Sequence, residues 1–268
     1  MPEVDVAWPG YPAGPGTRAW TGANHGAGTG PALAPPIAGC ALASSRTRLC
    51  HVWVTGVDAE RPPHRSLLDT SERARWDLIR TPTGRSHFLV GVALTRLAVA
   101  AELRMSPAAV VIDRWCPSCE RPHGKPRLSG CDLHVSVTHS GGRVAVALTR
   151  AGDVGVDLEE IVPRPLGELT RHVLADGEVA REPGDFYTYW CRKESAVKAT
   201  GDGLRVPLAE VVVGPADEPA RLLSYRGSAV AAAMTDLEVG PGFAGAVTVL
   251  TNHPIVTLVS NGRDLMSG

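Results

Sequence analysis

The chain has 268 residues with 27 basic and 28 acidic side chains, a formal net charge of −1. That balance argues against a strongly basic nucleic-acid binder, and no run approaches the roughly 18 apolar residues of a membrane span. Six cysteines are too sparse for a disulfide scaffold, and the N-terminus lacks the basic-then-apolar pattern of a secretory signal, so a soluble cytoplasmic protein is expected.

Glycine and proline together supply about one residue in five, and 15 of them fall in the first 40 residues. Up to Ala43 only Glu3, Asp5 and Arg18 carry charge. Such a segment cannot bury enough apolar surface to offset its ordering entropy, so residues 1–45 are expected to be a disordered leader. The rest is long enough for a sizeable core. It divides into two comparable halves, 46–150 and 151–268, the second carrying the chemistry.

In chain order, Leu49 to Val57 alternates in part and predicts a strand. Asp69-Thr70-Ser71-Glu72 supplies an N-cap before a helix to about Arg80. Thr81-Pro82-Thr83-Gly84 breaks the pattern, and Phe88 to Leu103 predicts a second helix. A loop rich in Cys, Pro and Gly spans Cys116 to Gly130. Strands are expected at His134 to Thr138, Val144 to Leu148 and Val154 to Leu158, close enough together to suggest an antiparallel meander. Helices are expected at Gly167 to Ala180 and Phe186 to Thr200, the second ended by Gly201 and Gly203. Strands return at Val211 to Val213, Ser228 to Met234 and Ala244 to Leu250. The order predicts an α+β fold.

Four constellations carry candidate chemistry. In Gly155-Val156-Asp157-Leu158-Glu159, the i, i+2 rule of a strand puts Asp157 and Glu159 on one face. Two adjacent carboxylates repel unless a cation or proton lies between them, and Mg²⁺ suits an oxygen donor set. An exposed acidic edge extended by Glu160 explains the same residues. In Trp190-Cys191-Arg192-Lys193-Glu194-Ser195-Ala196-Val197-Lys198, helical spacing groups Trp190, Lys193, Glu194, Val197 and Lys198. Glu194 can be a third carboxylate or base and the lysines phosphate partners; an amphipathic helix with a Glu–Lys pair is the plainer alternative. His139 and Ser140, in Val135-Ser136-Val137-Thr138-His139-Ser140-Gly141, suit anion binding or the capping of a turn. His123-Gly124-Lys125-Pro126-Arg127 offers a close approach and a charge, but it is not a P-loop. Together they provide acidic metal ligands and several cations, as a substrate bearing several phosphates requires.

GVDLE followed after about thirty residues by WCRKESAVKATGDGL resembles the paired signature of the 4′-phosphopantetheinyl transferases, in their broad-specificity class. VSVTHSGGRVAVAL resembles the strand segment that precedes it in the family, PHGKPRL the Gly-Lys-Pro loop, and FLVGVALTRLAVA an N-terminal helix carrying Arg96. The resemblance runs from about Arg46 to Leu250. It implies a pseudo-twofold pair of similar α/β halves and a transfer of phosphopantetheine from coenzyme A to a Ser of an apo acyl or peptidyl carrier protein. Adenosine 3′,5′-bisphosphate is the second product. By matched position, Asp157, Glu159 and Glu194 would hold Mg²⁺, with Mn²⁺ as an alternative. Lys198 would neutralise developing charge, Glu194 would accept the Ser proton, and Trp190 would position Lys193 and Glu194. His139 with Ser140 would meet the 3′-phosphate, and Lys125 and Arg96 would bind other coenzyme A phosphates. Carrier domains of polyketide or non-ribosomal peptide synthases are the implied partners, and a monomer is expected.

Thr138 stands where the family often has Ser, which keeps a hydroxyl. The basic residues of the family's first helix have no unambiguous match among Arg73, Arg75 and Arg80. Cys116, Cys119, His123 and Cys131 could supply four zinc ligands. Two alternatives follow: a metal-dependent nucleotide phosphohydrolase using the same carboxylates, or a non-catalytic zinc-binding module.

Overall fold

Both halves of the chain run strand, helix, two-stranded ribbon, strand, strand. A computed structural model describes residues 48–116, 124–163, 167 and 169–267. The first half contains β1 (Leu49–Gly56), α1 (Thr70–Leu78), α2 (Pro82–Leu103), β2 (Ile112–Asp113), β3 (Arg127–Leu128), β4 (His134–Ser140) and β5 (Arg143–Thr149). The second contains β6 (Val154–Glu160), α3 (Leu169–Val173), α4 (Pro183–Thr200), β7 (Val211–Val213), β8 (Leu222–Tyr225), β9 (Ala232–Asp236) and β10 (Phe243–Leu250). In each half the last strand inserts between the other two, in the orders β1-β5-β4 and β6-β10-β9, with every neighbour antiparallel. This is the expected α+β fold of two similar halves. The chain ends with β11 (Val256–Asn261) and α5 (Arg263–Met266). β11 pairs parallel with β1, so the end of the chain crosses back over the expected division at residue 150.

Helix α2 covers one sheet through Val90, Leu94 and Val99 against Val146 and Leu148. By composition α2 is long and apolar enough to cross a membrane, yet most of it is buried as a core helix. Val52, Val54, Ala145 and Ala147 of the first sheet pack on Val156, Leu158 and Val247 of the second. Helix α4 joins a further apolar cluster through Tyr189, Ala196 and Val197 with Val211 and Met234.

Several expectations are corrected. The break between α1 and α2 is present, but Thr81-Pro82-Thr83-Gly84 also starts the second helix, six residues before Phe88: the Thr81 hydroxyl accepts from Gly84 N at 3.2 Å and proline occupies the first turn, where no N–H is required. The helix expected to reach Ala180 ends at Val173, ahead of a turn with Gly177 at φ +88°. The strand expected over residues 228–234 is replaced by β8 and β9. The expected meander is split, because β6 pairs with β10 rather than β5. Its open edge lies against β4, where side chains take the place of a backbone ladder. Ser136 Oγ accepts from Val156 N at 3.0 Å, and Ser140 Oγ accepts from Glu160 N at 3.2 Å. Two otherwise orphaned strand N–H groups are satisfied in this way.

Candidate active site

Gly155 brings the two elements of the site together. A Cβ there would lie 2.0 Å from the Ser195 carbonyl oxygen and 2.4 Å from Ala199 N, so only glycine lets the α4 backbone rest on β6. A buried 2.7 Å hydrogen bond between Ser195 Oγ and Thr248 Oγ1 ties the same helix to β10. With helix and strand this close, Glu194 and Lys198, one turn apart on α4, meet the carboxylates of β6.

Asp157 is 1 % exposed. Its Oδ1 accepts from Lys198 Nζ at 2.5 Å and from Thr138 Oγ1 at 3.0 Å, while the equally buried Oδ2 has no hydrogen-bond partner. Two residues on, Glu159 Oε2 accepts from Ser140 Oγ at 2.5 Å. Glu194 is buried, and burial followed by the charge of Asp157 pushes its carboxyl up to about 7; Lys198 opposes that rise and Glu159 adds to it. Burial works to lower the Lys198 ammonium, but Asp157 and then Glu194 overcome it and hold the group above its ordinary value. Burial, with Asp157 and Glu159, pushes the Cys191 thiol up as well, which keeps it protonated and unreactive. Asp157, Glu159, Glu194 and Lys198 thus form one coupled group.

Beside this group, the His139 ring stacks on His87 with centroids 4.6 Å apart and planes 9° from parallel. His87 Nε2 donates to the Gly141 carbonyl at 2.6 Å, which fixes its tautomer. Burial, then the charges of His87, Lys198 and Arg75, lowers His139 to about 4, so its ring is neutral near pH 7. An arriving phosphate would reverse those charge effects.

The remaining sequence candidates separate. Lys125 of the Gly-Lys-Pro loop reaches across to the second half, donating to Asp153 Oδ1 at 2.8 Å and to the Ala199 carbonyl at 2.5 Å. Arg96 joins no member of the acidic group. It donates to Glu72 at 2.8 Å, Asp69 at 3.3 Å and the Val110 carbonyl, fastening α1 and the following loop onto α2. Lys193 does not join the site either. Fully buried, it points the other way, to Glu178 at 2.6 Å and to the carbonyls of Leu208 and Val211. Neighbouring residues on a helix are about 100° apart, so Lys193 and Glu194 serve different faces. Trp190 packs beside Phe186, with ring centroids 6.0 Å apart.

Arg192, unnoticed as a structural residue in the sequence, grips Asp236 with two bonds at 2.8 and 2.6 Å and also binds three carbonyls. His87, Thr138 as a ligand of Asp157, and the Lys193–Glu178 pair were equally unmarked. Only the hydroxyls left a signal, since Ser136, Thr138 and Ser140 recur at a strand's two-residue period.

Among the described residues, no three His, Cys, Asp or Glu side chains already form a metal-holding group. Lys198 occupies one oxygen of Asp157, and Ser140 one of Glu159. Of the zinc candidates, Cys131 is a free thiol, Cys116 is half-buried, and Cys119 and His123 lie outside the described residues.

Comparison with known proteins agrees with this arrangement. Residues 153–247, which hold all four coupled groups, match the family model described as ACPS, the 4′-phosphopantetheinyl transferase superfamily. The 4′-phosphopantetheinyl transferase HetI of Nostoc sp. is 28% identical over 189 residues, covering 64% of this chain and 77% of the relative. Sfp of Bacillus subtilis, also a 4′-phosphopantetheinyl transferase, is 25% identical over 175 residues, 62% of this chain and 74% of its own length. AcpT of Salmonella typhi is 38% identical over a shorter 88 residues, 29% of this chain and 46% of the relative. The motif order, the doubled fold and these relatives point the same way: residues 153–247 match the 4′-phosphopantetheinyl transferase superfamily, and more than half of the chain is similar to proteins of that activity.

Proposed function

We propose that the protein transfers 4′-phosphopantetheine from coenzyme A to a serine of an apo acyl or peptidyl carrier protein and releases adenosine 3′,5′-bisphosphate. The observation that carries this reading is the coupled group of three carboxylates and Lys198 where β6 and α4 meet. Its residues fit Mg²⁺ or Mn²⁺. Asp157 Oδ2 is a buried, unpartnered acceptor, and Glu194, its carboxyl raised first by burial and then by the charge of Asp157, is coupled to it. The donor set is all oxygen, as a hard cation prefers. Asp157, Glu159 and Glu194 would hold the ion, which when bound supplies charge neutralisation at a pyrophosphate.

The other roles follow from position and charge. Lys198 neutralises negative charge on the phosphate oxygens as the bond to the leaving group lengthens, since its ammonium stays protonated beside Asp157. Glu194 is suited to take the serine proton, since burial and Asp157 push its carboxyl up to about 7 and make the carboxylate a better base. His139 and Ser140, next to this group, would meet the 3′-phosphate of coenzyme A. Lys125, paired with Asp153 and packed near Gly201, would contact a further coenzyme A phosphate. A carrier of polyketide or non-ribosomal peptide assembly is the partner in this reading.

The test is intact mass of an apo carrier protein after incubation with the protein, coenzyme A and Mg²⁺. The carrier should gain one phosphopantetheine, and a chelator should abolish the gain. No gain on carriers of several types overturns the proposal.

A further inference from the structure

The hydroxyls along β4 form a ladder aimed at the acidic strand β6. Thr138 is its central member and is buried. Its Oγ1 lies 3.1 Å from Lys198 Nζ and 3.0 Å from Asp157 Oδ1. A lysine offers only donors, so the threonine oxygen accepts from Lys198 and its single proton goes to Asp157. Lys198 also donates directly to that same Oδ1 at 2.5 Å. A closed triangle results, in which Oδ1 takes two charge-assisted bonds and Oδ2 takes none. Rotating the carboxylate plane away from this orientation would break both bonds at once. One step along, Ser140 does for Glu159 what Thr138 does for Asp157, and its own oxygen is held by Glu160 N. One step back, Ser136 holds the strand itself through Val156 N.

We infer that Thr138, seconded by Ser140, is a positioning residue: it locks Asp157 so that Oδ2 alone is presented to a divalent cation, and it holds Lys198 beside that carboxylate. Each hydroxyl belongs to the first half and each carboxylate to the second, so the ladder sets the register between the halves at the site. This inference rests on the transferase reading for its reaction, but its structural content concerns a divalent cation alone.

The experiment measures Mn²⁺ affinity of the full chain, with coenzyme A present, alongside thermal melting. Groups that orient metal ligands typically contribute on the order of 10- to 100-fold in affinity. Thr138→Val keeps the shape and removes the hydroxyl; Mn²⁺ should bind at least about 10-fold more weakly. Thr138→Ser restores the hydroxyl and should return affinity to within about twofold of the wild type. Ser140→Ala, at the half-buried end of the ladder, should weaken binding by a smaller factor. It carries the test if Thr138→Val does not fold. Wild-type affinity in Thr138→Val or Ser140→Ala, or a Thr138→Ser variant as impaired as Thr138→Val, overturns the positioning role. A wild-type protein that binds Mn²⁺ and loses it in Thr138→Val, yet modifies no carrier, contradicts the transferase reading and leaves the ladder standing.

Discussion

The two halves share a plan and differ in what their long helices rest on. Helix α2 is apolar and meets its sheet side chain to side chain: a Cβ added at Gly91 would find Val137 at 3.7 Å, an ordinary contact. Helix α4 rests on β6 backbone to backbone at Gly155, where a Cβ would collide. Each helix buries an arginine in a structural role, Arg96 on α2 and Arg192 on α4. Only α4 adds Glu194 and Lys198, and only β6 adds Asp157 and Glu159; β1 holds no carboxylate. A doubled scaffold has thus specialised: one half supplies the charged group, the other the hydroxyls and imidazole beside it.

The comparison breaks most sharply at the charged group. Asp157→Ala and Glu194→Ala should each reduce carrier modification on the order of 10³-fold in a steady-state assay, because interactions with developing charge are lost. Residual rates within about tenfold of wild type would assign the charge elsewhere. Next in size is Arg96→Ala, which strands buried Glu72 and should destabilise by about 3 kcal/mol in urea unfolding. If its role is structural, the KM for coenzyme A changes by less than about threefold. A large KM change with intact stability would return Arg96 to the phosphates.

The two glycines sharpen the contrast directly. Gly155→Ala should cost about 2 kcal/mol through overpacking, a fall in Tm of several degrees. Gly91→Ala should instead gain about 0.5 kcal/mol, because alanine is the better helix former and space is available. Equal effects at both positions would contradict the difference in helix seating. The smallest effect concerns pH. The folded-state His139 is held near 4, below its ordinary value, so its neutral burial favours the fold fully above about pH 6.5. That contribution is lost as pH falls from 6.5 towards 4. The urea midpoint of His139→Asn should therefore decline less between pH 7 and pH 5 than that of the wild type.

Much of the site was legible because its residues are close in sequence and their spacing has a period. Asp157 and Glu159 share a face by strand alternation, and Glu194 and Lys198 by one helical turn. Lys193 was misjudged because a helical face about 100° wide admits neighbours on either side, and its partner Glu178 lies in a loop that no periodicity marks. Arg192 was unreadable for the same reason, since Asp236 is 44 residues away. Arg96 was assigned to a coenzyme A phosphate by the family resemblance alone, and its bonds to Glu72 and Asp69 depend on α1 folding back over α2. In the fold, β11 was missed although Val256 to Asn261 alternates weakly, and its parallel pairing with β1 spans nearly the whole chain. The expected meander failed because adjacency in sequence favours pairing, whereas here hydroxyls cap β6's edge and its ladder partner lies beyond α4.

The most direct measurement follows both products of one reaction: the mass of an apo carrier and the amount of adenosine 3′,5′-bisphosphate released from coenzyme A with Mg²⁺. One nucleotide released per phosphopantetheine gained is the expected result. Nucleotide released with the carrier's mass unchanged would contradict it and make the same carboxylates those of a phosphohydrolase.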